Sequence, residues 1–284
     1  MKLEQLKTKA TPEILLKISK QIESLKSKDD LNKYIEKNKN ILDIIVEYAK
    51  AVMLFTEGGF AAVKDPESFN PKRDGITWRQ SNLIQMLGEY SSELSGSAGK
   101  EDYQKANYII LTLAKRNSLP GEKKEEHALL YRGLGWVPPG VFLNLVMPGK
   151  TYSIGNSASC SVDKEIAFNW ISRKGRWKVI YILNNKKQHR GMRVGFSSAN
   201  PQEEEVILAG NIKIKSFIHE TDRSKAKLGF KGQKLLKKFS GGVFKTTNFE
   251  ELVKFVETVE SQLGASKSQQ NDMGITYVYA EVIE

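Results

Sequence analysis

The sequence changes character near residue 128, and this change limits the chain to few fold classes. Before it, apolar residues recur at helical spacing. After it, they occur in short runs separated by turn residues. Helices followed by strands are typical of α+β folds, because α/β folds alternate the two along the chain. We therefore expect an α+β chain with a helical amino-terminal region over residues 1–120 and a second domain over residues 121–284.

The helical region is predicted from capping residues and from the period of its apolar residues. Thr11, Pro12 and Glu13 form a helix start, with an N-cap, a proline in the first turn and an early acid. A stretch rich in glycine and serine, Ser95–Gly99, separates the last two helical patterns. The predicted helical segments are residues 11–25, 29–35, 41–55, 78–94 and 101–115.

The second part of the chain is predicted to contain short strands and one late helix. The predicted strands are Leu129–Tyr131, Thr151–Asn156, Trp177–Leu183, Met192–Phe196, Glu205–Ala209, Ile212–Ile218 and Ile275–Ile283. Before the last strand lies an insertion at about residues 222–270, lysine-rich from Asp222 to Lys245 and then amphipathic from Asn248 to Leu263. It is either a solvated insertion with a packing helix or a basic surface for a polyanionic partner.

Composition indicates a globular, basic protein. The chain has 284 residues, of which 40% are hydrophobic, and no run approaches the ~18 apolar residues that span a bilayer. Met1–Ala10 is dominated by charged residues, so we expect no secretory signal, no membrane association and a cytoplasmic location. The single cysteine, Cys160, favours a reducing compartment. The net charge of +11 favours polyanionic partners such as nucleic acid, although it equally describes a basic solubilising surface.

Three short motifs carry residues suited to chemistry. Arg132 ends a predicted strand and is followed by Gly133, a pair suited to phosphate binding and close ligand approach, though also common in exposed turns. Ser157 and Ser159 close the next strand, and their hydroxyls suit either a buried carboxylate or an ordinary polar turn. Phe168 follows, either as a stacking aromatic or as a core residue.

The third motif is a run of acids that leads directly into an apolar strand. If the run is extended, Glu203 and Glu205 share one face while Glu204 faces away. Two carboxylates about 7 Å apart repel by ~2 kcal/mol at an effective dielectric of about 20, so they gain from a neighbouring cation. The alternative is a strand edge with solvated acids.

Taken in order, these motifs resemble the Arg–Ser–Glu class of mono-ADP-ribosyltransferases, which includes bacterial toxins and phage enzymes that modify host transcription and translation machinery. The resemblance covers residues 128–219 and the closing strand. It implies a core of two packed, mainly antiparallel β-sheets with an NAD+ cleft between them. It also implies NAD+ as the substrate and no metal. The phage or bacterial effector origin follows only from this likeness.

The resemblance implies a role for each matching residue that binds the dinucleotide. Arg132 would bind a phosphate of NAD+, and the backbone of Gly133 would hold the nicotinamide carboxamide. Phe168 would pack near the nicotinamide. A loop at residues 169–176 would close over the cofactor, and Arg173 or Arg176 in it could add a phosphate contact.

The resemblance also implies the catalytic roles. Glu205 would be the catalytic carboxylate that binds the nicotinamide ribose, with Ser157 orienting it and Ser159 supporting the fold around it. Glu203 would engage the acceptor, and glutamate at that position goes with arginine modification. The loop Ser197–Gln202 would be the recognition turn. Several relatives carry an aromatic residue where this chain has Asn200, so the acceptor contact differs.

The expected function is therefore cleavage of NAD+ and transfer of ADP-ribose to a protein arginine, with an acceptor in the transcription or translation machinery. Two alternatives remain open at this point. One is an NAD glycohydrolase, in which water takes the place of the acceptor. The other is a non-catalytic basic protein that binds nucleic acid, for which salt-dependent binding without nicotinamide release is expected.

Overall fold

The computed structural model describes residues 1–78, 82–91, 94, 96–115, 128–171, 176–186, 190–198, 201–222, 233–234, 236–237, 242–263 and 273–283. They form two compact units, neither of which is a single stretch of chain. The helical unit comprises Met1–Pro120, Gly155–Ser159 and Arg190–Ala209. The sheet unit comprises Gly121–Ile154, Cys160–His189 and Gly210–Glu284. The predicted division into domains 1–120 and 121–284 stays a prediction.

The helical unit contains the helices of the first 115 residues. They are α1 (Leu3–Lys9), α2 (Pro12–Glu23), α3 (Lys28–Lys37), α4 (Leu42–Leu54), α5 (Phe60–Lys64), α6 (Pro71–Asp74), α7 (Asn82–Leu87) and α8 (Lys100–Ala114). The predicted start of α2 is confirmed, because the Thr11 side chain accepts a hydrogen bond from the Ile14 N–H. A π-turn at Phe55–Gly59 joins α4 to α5.

The core of the helical unit includes residues from far along the chain. Fully buried side chains of α2, α4 and α8 pack in one apolar cluster. The same cluster contains Met192, Val194, Ile207 and Ala209. They belong to a β-hairpin whose two strands lie on either side of the acidic motif in the sequence. This hairpin consists of β4 (Met192–Arg193) and the start of β5 (Glu205–Asp222). The helical region and the hairpin therefore share one hydrophobic core.

The sheet unit holds most of the strand residues and the later helices. Its elements are β1 (Leu129–Val137), α9 (Pro139–Val146), part of β2 (Thr151–Ser161), α10 (Lys164–Ile171), β3 (Trp177–Asn184), the main part of β5, β6 (Val243–Thr246), α11 (Phe249–Leu263) and β7 (Ile275–Ile283). Strand β3 lies between β1 and β7, antiparallel to the first and parallel to the second. Strand β5 pairs antiparallel with β7 and β6.

The α+β class is confirmed, and most strand pairs are antiparallel as predicted. The strands follow the order β2-β1-β3-β7-β5-β4, with β6 beside β5 and a further pairing of β2 with β5. The described strands are thus connected by pairing into one seven-stranded sheet. Two of the long strands contain a glycine at positive φ, Gly155 in β2 (φ 86) and Gly210 in β5 (φ 125). Glycine in such a conformation allows a long strand to bend.

Several boundaries differ from the predicted ones. Strand β5 is continuous where two strands were predicted, and Gly210, at positive φ, lies within it. Only Asn82–Leu87 is α-helical within the predicted helix at residues 78–94, among the residues described there. Helices α9 and α10 were not predicted, because each is only 8 residues long. No helix in the described part of the chain is long and apolar enough to cross a membrane.

Candidate functional site

The structure places the predicted site residues in two groups, one in each unit. The group in the sheet unit consists of Arg132, Gly133 and Phe168. Arg132 and Gly133 lie within β1, opposite Tyr181 and Ile180 of β3. The prediction that Arg132 ends its strand is wrong, because β1 continues to Val137. The glycine that suggested a turn is instead a strand residue.

Gly133 permits a close approach of helix α10 to strand β1. A Cβ atom at this position would lie 2.3 Å from the Ala167 carbonyl oxygen and 2.8 Å from Ile171 Cγ2. Real Cβ atoms do not approach backbone atoms this closely, so only glycine fits without a shift of the helix. The contact also brings the first motif next to Ala167, the residue before Phe168. The structure thus joins two sequence features that are more than thirty residues apart.

The surroundings of Arg132 are partly buried. Arg132 is intermediate in exposure, and its strand partner Tyr181 is buried. Burial raises the pKa of the Tyr181 phenol, and the positive charge of Arg132 opposes that rise. The Tyr181 hydroxyl donates a hydrogen bond of 2.8 Å to the Leu145 carbonyl. The residue opposite Arg132, Tyr181, is therefore held in place both by its burial and by the hydrogen bond of its hydroxyl.

Arg176, one of two arginines considered for a second phosphate contact, is held by an acid. Its Nη1 lies 2.9 Å from Oε1 of Glu260 in α11, and the Trp177 indole N–H donates to the same oxygen over 2.8 Å. The Arg176 side chain is 7% exposed. A phosphate at Arg176 would have to compete with this carboxylate. Arg173 and the rest of residues 172–175 lie outside the described residues.

The group in the helical unit combines the serine and glutamate motifs. Ser157 and Ser159 lie inside β2, and the prediction that they close the strand is wrong, because β2 continues to Ser161. Ser157 is buried at 2% exposure, and Ser159 is intermediate. Strand β2 pairs with β5, the strand that begins at Glu205. Ser157 and Glu205, nearly fifty residues apart, thus lie on neighbouring strands.

Glu205 occupies the first position of β5 and is buried at 6% exposure. Its carbonyl accepts a hydrogen bond of 3.1 Å from the Val194 N–H. The next residues continue the hairpin, with Val206 opposite Arg193 and Ile207 opposite Met192. The backbone of Glu205 is therefore fixed by strand pairing at the point where the loop ends.

The other two acids adopt a conformation that the sequence did not indicate. Glu203 ends a 3-10 turn at Pro201–Glu203, and Glu204 has φ 44, in the left-handed region. The extended run assumed for these acids is therefore wrong. Glu204 is nonetheless exposed, whereas Glu203 is intermediate and Glu205 is buried. A non-glycine residue in the left-handed region costs about 1 kcal/mol or more, and such strain occurs often at functional sites.

Burial also affects the ionisation of the first acid. It raises the pKa of the Glu203 carboxyl above its ordinary value. A carboxylate with a raised pKa holds a proton more readily at neutral pH and is a better base once ionised.

Among the described residues, no group of three or more His, Cys, Asp and Glu side chains is arranged to hold a metal ion.

The loop that precedes the acids contacts a residue that the sequence did not single out. Glu23, the last residue of α2, accepts a hydrogen bond of 2.7 Å from the Phe196 N–H and another from the Ser197 hydroxyl. An acid at the carboxyl end of a helix is unfavourable to the helix dipole, and this anomaly was the available signal. Asn200, within the predicted recognition turn Ser197–Gln202, lies outside the described residues.

The basic insertion is described only in part. Strand β6 and helix α11 are described, and α11 confirms the predicted amphipathic helix. Most of its lysine-rich portion, including residues 223–232, lies outside the described residues. The predicted basic surface for a polyanion therefore stays a prediction.

Comparison with known proteins gives matches among solved structures. No family model matches the chain, and no curated protein matches it. Three of the similar structures are the Vis toxin, an ADP-ribosyltransferase from Vibrio splendidus, the ADP-ribosyltransferase toxin Plx2a from Paenibacillus larvae, and C3stau2 from S. aureus with NAD.

The similarity covers most of each chain at low identity. The Vis toxin is 15% identical, with 93% of this chain and 90% of that chain covered and a TM-score of 0.38. Plx2a is 11% identical, with 90% and 96% covered and a TM-score of 0.37. C3stau2 is 11% identical, with 83% and 86% covered and a TM-score of 0.35. The function of this chain is therefore inferred from its own residues.

Proposed function

We propose that this chain is a mono-ADP-ribosyltransferase that cleaves NAD+ and transfers ADP-ribose to an arginine side chain of a protein. One observation carries the proposal. The Ser157–Ser159 motif lies in β2 and Glu205 begins β5, the strand that pairs with β2. Both lie in the same compact unit, and Glu205 is buried there. A carboxylate is rarely buried at the start of a strand without a structural or chemical role.

In this proposal, Glu205 binds the nicotinamide ribose and stabilises the positive charge that develops on it. A carboxylate fixed before the reaction stabilises an oxocarbenium-like transition state more than the ground state. The strand pairing of the Glu205 backbone supports such a fixed position. Ser157 orients the Glu205 carboxylate, and Ser159 supports β2 around it.

Arg132, Gly133 and Phe168 are proposed to bind the dinucleotide. Arg132 provides a guanidinium suited to a phosphate, and the backbone of Gly133 binds the carboxamide of nicotinamide. Phe168 packs against the nicotinamide. The close contact of Gly133 with Ala167 supports this grouping, because it places the two sequence features beside each other.

The chemistry needs no proton on the leaving group. The bond between the ribose C1′ and the nicotinamide nitrogen breaks, and nicotinamide leaves as a neutral molecule with the bonding electrons. A guanidinium nitrogen of the acceptor then bonds to C1′ and loses a proton. Glu203 orients that guanidinium and accepts the proton, a role that its raised pKa supports.

The acceptor is proposed to be a protein of the transcription or translation machinery. The net charge of +11 supports an approach to targets that carry nucleic acid, because a basic protein is attracted to polyanions. A contribution of this kind falls steeply with salt concentration. If transfer to such targets does not change with salt concentration, electrostatic attraction does not guide the protein to them.

The proposal can be tested with three isosteric variants of the acidic run. Wild type and variants are incubated with labelled NAD+ and a host-cell lysate, and both nicotinamide release and protein labelling are measured. Glu205→Gln is expected to lower nicotinamide release by about 10²–10³-fold, because it removes the charge that stabilises the transition state. Glu203→Gln is expected to abolish labelling while slow NAD+ cleavage continues.

Glu204→Gln is the matched control, since Glu204 is the exposed member of the run. It is expected to keep both activities. Release of only free ADP-ribose by the wild type with every lysate would identify a glycohydrolase. No release of nicotinamide at all would overturn the enzymatic proposal.

A further inference from the structure

A partly buried hydrogen-bond network links helix α2 to the loop that precedes the acidic run. Glu23 Oε2 accepts from the Phe196 N–H at 2.7 Å, and Oε1 accepts from the Ser197 hydroxyl and, at 3.1 Å, from the Tyr48 hydroxyl. The Tyr48 hydroxyl also lies 3.3 Å from that of Ser19. Ser197 is 1% exposed. The beginning of the loop is therefore tied to α2 and α4.

This loop forms the turn of the β4–β5 hairpin. Its ends meet where the Val194 N–H donates to the Glu205 carbonyl. Glu23 holds the first part of the loop by its contacts with Phe196 and Ser197, and Glu203 lies in the last part. Glu205 is fixed additionally by strand pairing, whereas Glu203 precedes the strand in a 3-10 turn. The position of Glu203 thus depends more on the loop than the position of Glu205 does.

We propose that Glu23 is a positioning residue, which fixes the loop so that Glu203 can engage the acceptor. The inference rests on the proposed transferase function and assigns the helical region a part in acceptor use. Glu23 does not touch the substrate. It acts through the loop, and its loss should separate transfer from NAD+ cleavage.

The chemistry of the network explains why an acid stands at this position. The Phe196 N–H can only donate, so its partner must be an acceptor. Burial raises the pKa of Glu23, and the hydrogen bonds from Ser197, Tyr48 and Phe196 oppose that rise. An acid at the end of α2 is also disfavoured by the helix dipole. The hydrogen bonds that the carboxylate receives offset these unfavourable contributions in part.

The test compares labelling of an acceptor protein with nicotinamide release for Glu23→Ala and Glu23→Gln. Glu23→Ala is expected to lower labelling at least tenfold, through a higher KM for the acceptor, and to lower nicotinamide release less than threefold. Glu23→Gln is expected to restore labelling, because its amide oxygen can accept from Phe196 and its amide nitrogen can donate to the hydroxyls. Ser197→Ala is expected to give a smaller change in the same direction as Glu23→Ala.

Glu47→Ala is the control for a general loss of stability. Glu47 is buried in the same unit and pairs with Lys105 at 3.1 Å and with the amino terminus at 3.7 Å, and neither partner belongs to the Glu23 network. It should lower both activities in the same proportion, if at all. Equal losses of labelling and nicotinamide release in Glu23→Ala and Ser197→Ala would overturn the inference.

A measurement that is independent of activity separates the two proposals. Hydrogen exchange of the Phe196 amide is expected to be slow in the wild type and at least tenfold faster in Glu23→Ala, with α8 unchanged. Absent NAD+ cleavage by the wild type would refute the proposed function. Unchanged Phe196 exchange in Glu23→Ala would refute the role of Glu23 alone.

Discussion

The two units hold their candidate residues by different physical means. In the sheet unit, Arg132 and Gly133 lie on a strand against which α10 packs so closely that no side chain fits between. In the helical unit, the acids follow a loop that is held by hydrogen bonds to the partly buried carboxylate of Glu23. Steric packing of this kind tolerates no added atom, whereas a hydrogen-bonded loop tolerates a change of shape that keeps the acceptor.

Each unit also contains a hydrogen-bonded titratable group whose pKa is shifted by burial, and these two groups respond to pH in opposite directions. Burial raises the pKa of Glu23 in the helical unit. Burial lowers the pKa of His219 in the sheet unit to about 3. The stability linked to Glu23 is present at low pH and is lost as the pH rises through its raised pKa. The stability linked to His219 is present above its ordinary pKa and is lost as the pH falls.

The contacts of His219 fix its neutral form. The Thr221 hydroxyl donates to the Met273 carbonyl, so it accepts from the His219 Nε2–H at 3.0 Å. The unprotonated Nδ1 then accepts from the Thr276 hydroxyl at 2.8 Å. The ring also packs among Phe142, Trp177, Phe244 and Phe255. Burial among these rings disfavours the charged imidazolium, and this desolvation lowers the pKa of His219.

The largest effect on stability is expected from breaking the steric contact in the sheet unit. Gly133→Ala places a Cβ atom 2.3 Å from the Ala167 carbonyl oxygen, and we expect it to lower the free energy of unfolding by about 3 kcal/mol. Gly140→Ala is the control, because nothing lies within 4 Å of its Cβ and it stands in α9. Urea denaturation should show the control to be neutral or more stable. Equal stabilities of the two variants would contradict the steric account.

A moderate effect is expected when acid protonates the unfolded form of His219. Between pH 6.5 and pH 5, His219 should cost about 2 kcal/mol of stability, because one pKa unit corresponds to ~1.4 kcal/mol. Thermal unfolding followed from pH 7.5 to 5 should show this fall in the wild type. His219→Gln, which keeps a donor and an acceptor, should flatten the dependence. An equally steep fall in that variant would assign the acid sensitivity elsewhere.

The smallest effect is expected at the strained residue of the acidic run. Glu204→Gly should raise the free energy of unfolding by about 0.5 kcal/mol, because glycine adopts a φ of 44 without strain but is more flexible when unfolded. The same change at Glu257, an exposed position within α11, should lower it by about 1 kcal/mol. Chemical denaturation of the two variants should therefore give changes of opposite sign. A loss of stability in both would show that Glu204 is unstrained.

The comparison of the two units also shows which features a sequence reveals. The start of α2 and the helix α11 were predictable, because capping and helical periodicity are local properties. Arg132 was misplaced at a strand end because glycine usually marks a turn, and the helix that requires Gly133 lies more than thirty residues away. Glu203 was misplaced in a strand because the left-handed Glu204 is not a choice that the residue type favours.

The role of Glu23 was beyond local sequence reasoning. Its partner Phe196 is 173 residues away, and nothing in the surrounding pattern connects the two. The grouping of the serine and glutamate motifs in one unit likewise depends on strand pairing between distant segments. The order of the motifs along the chain led to the expectation that they lie together. The assignment of Arg132 to the other unit was not expected.

The distance of 173 residues between Glu23 and Phe196 has a consequence for synthesis on the ribosome. At about 5–20 residues per second, roughly 10–30 s pass between translation of α2 and translation of its partner loop. During that interval the nascent helices expose the apolar surface that Val194 and Ile207 later cover, and Glu23 lacks its acceptor contacts with Phe196 and Ser197. The first helices therefore reach their final packing late, after most of the chain has left the ribosome.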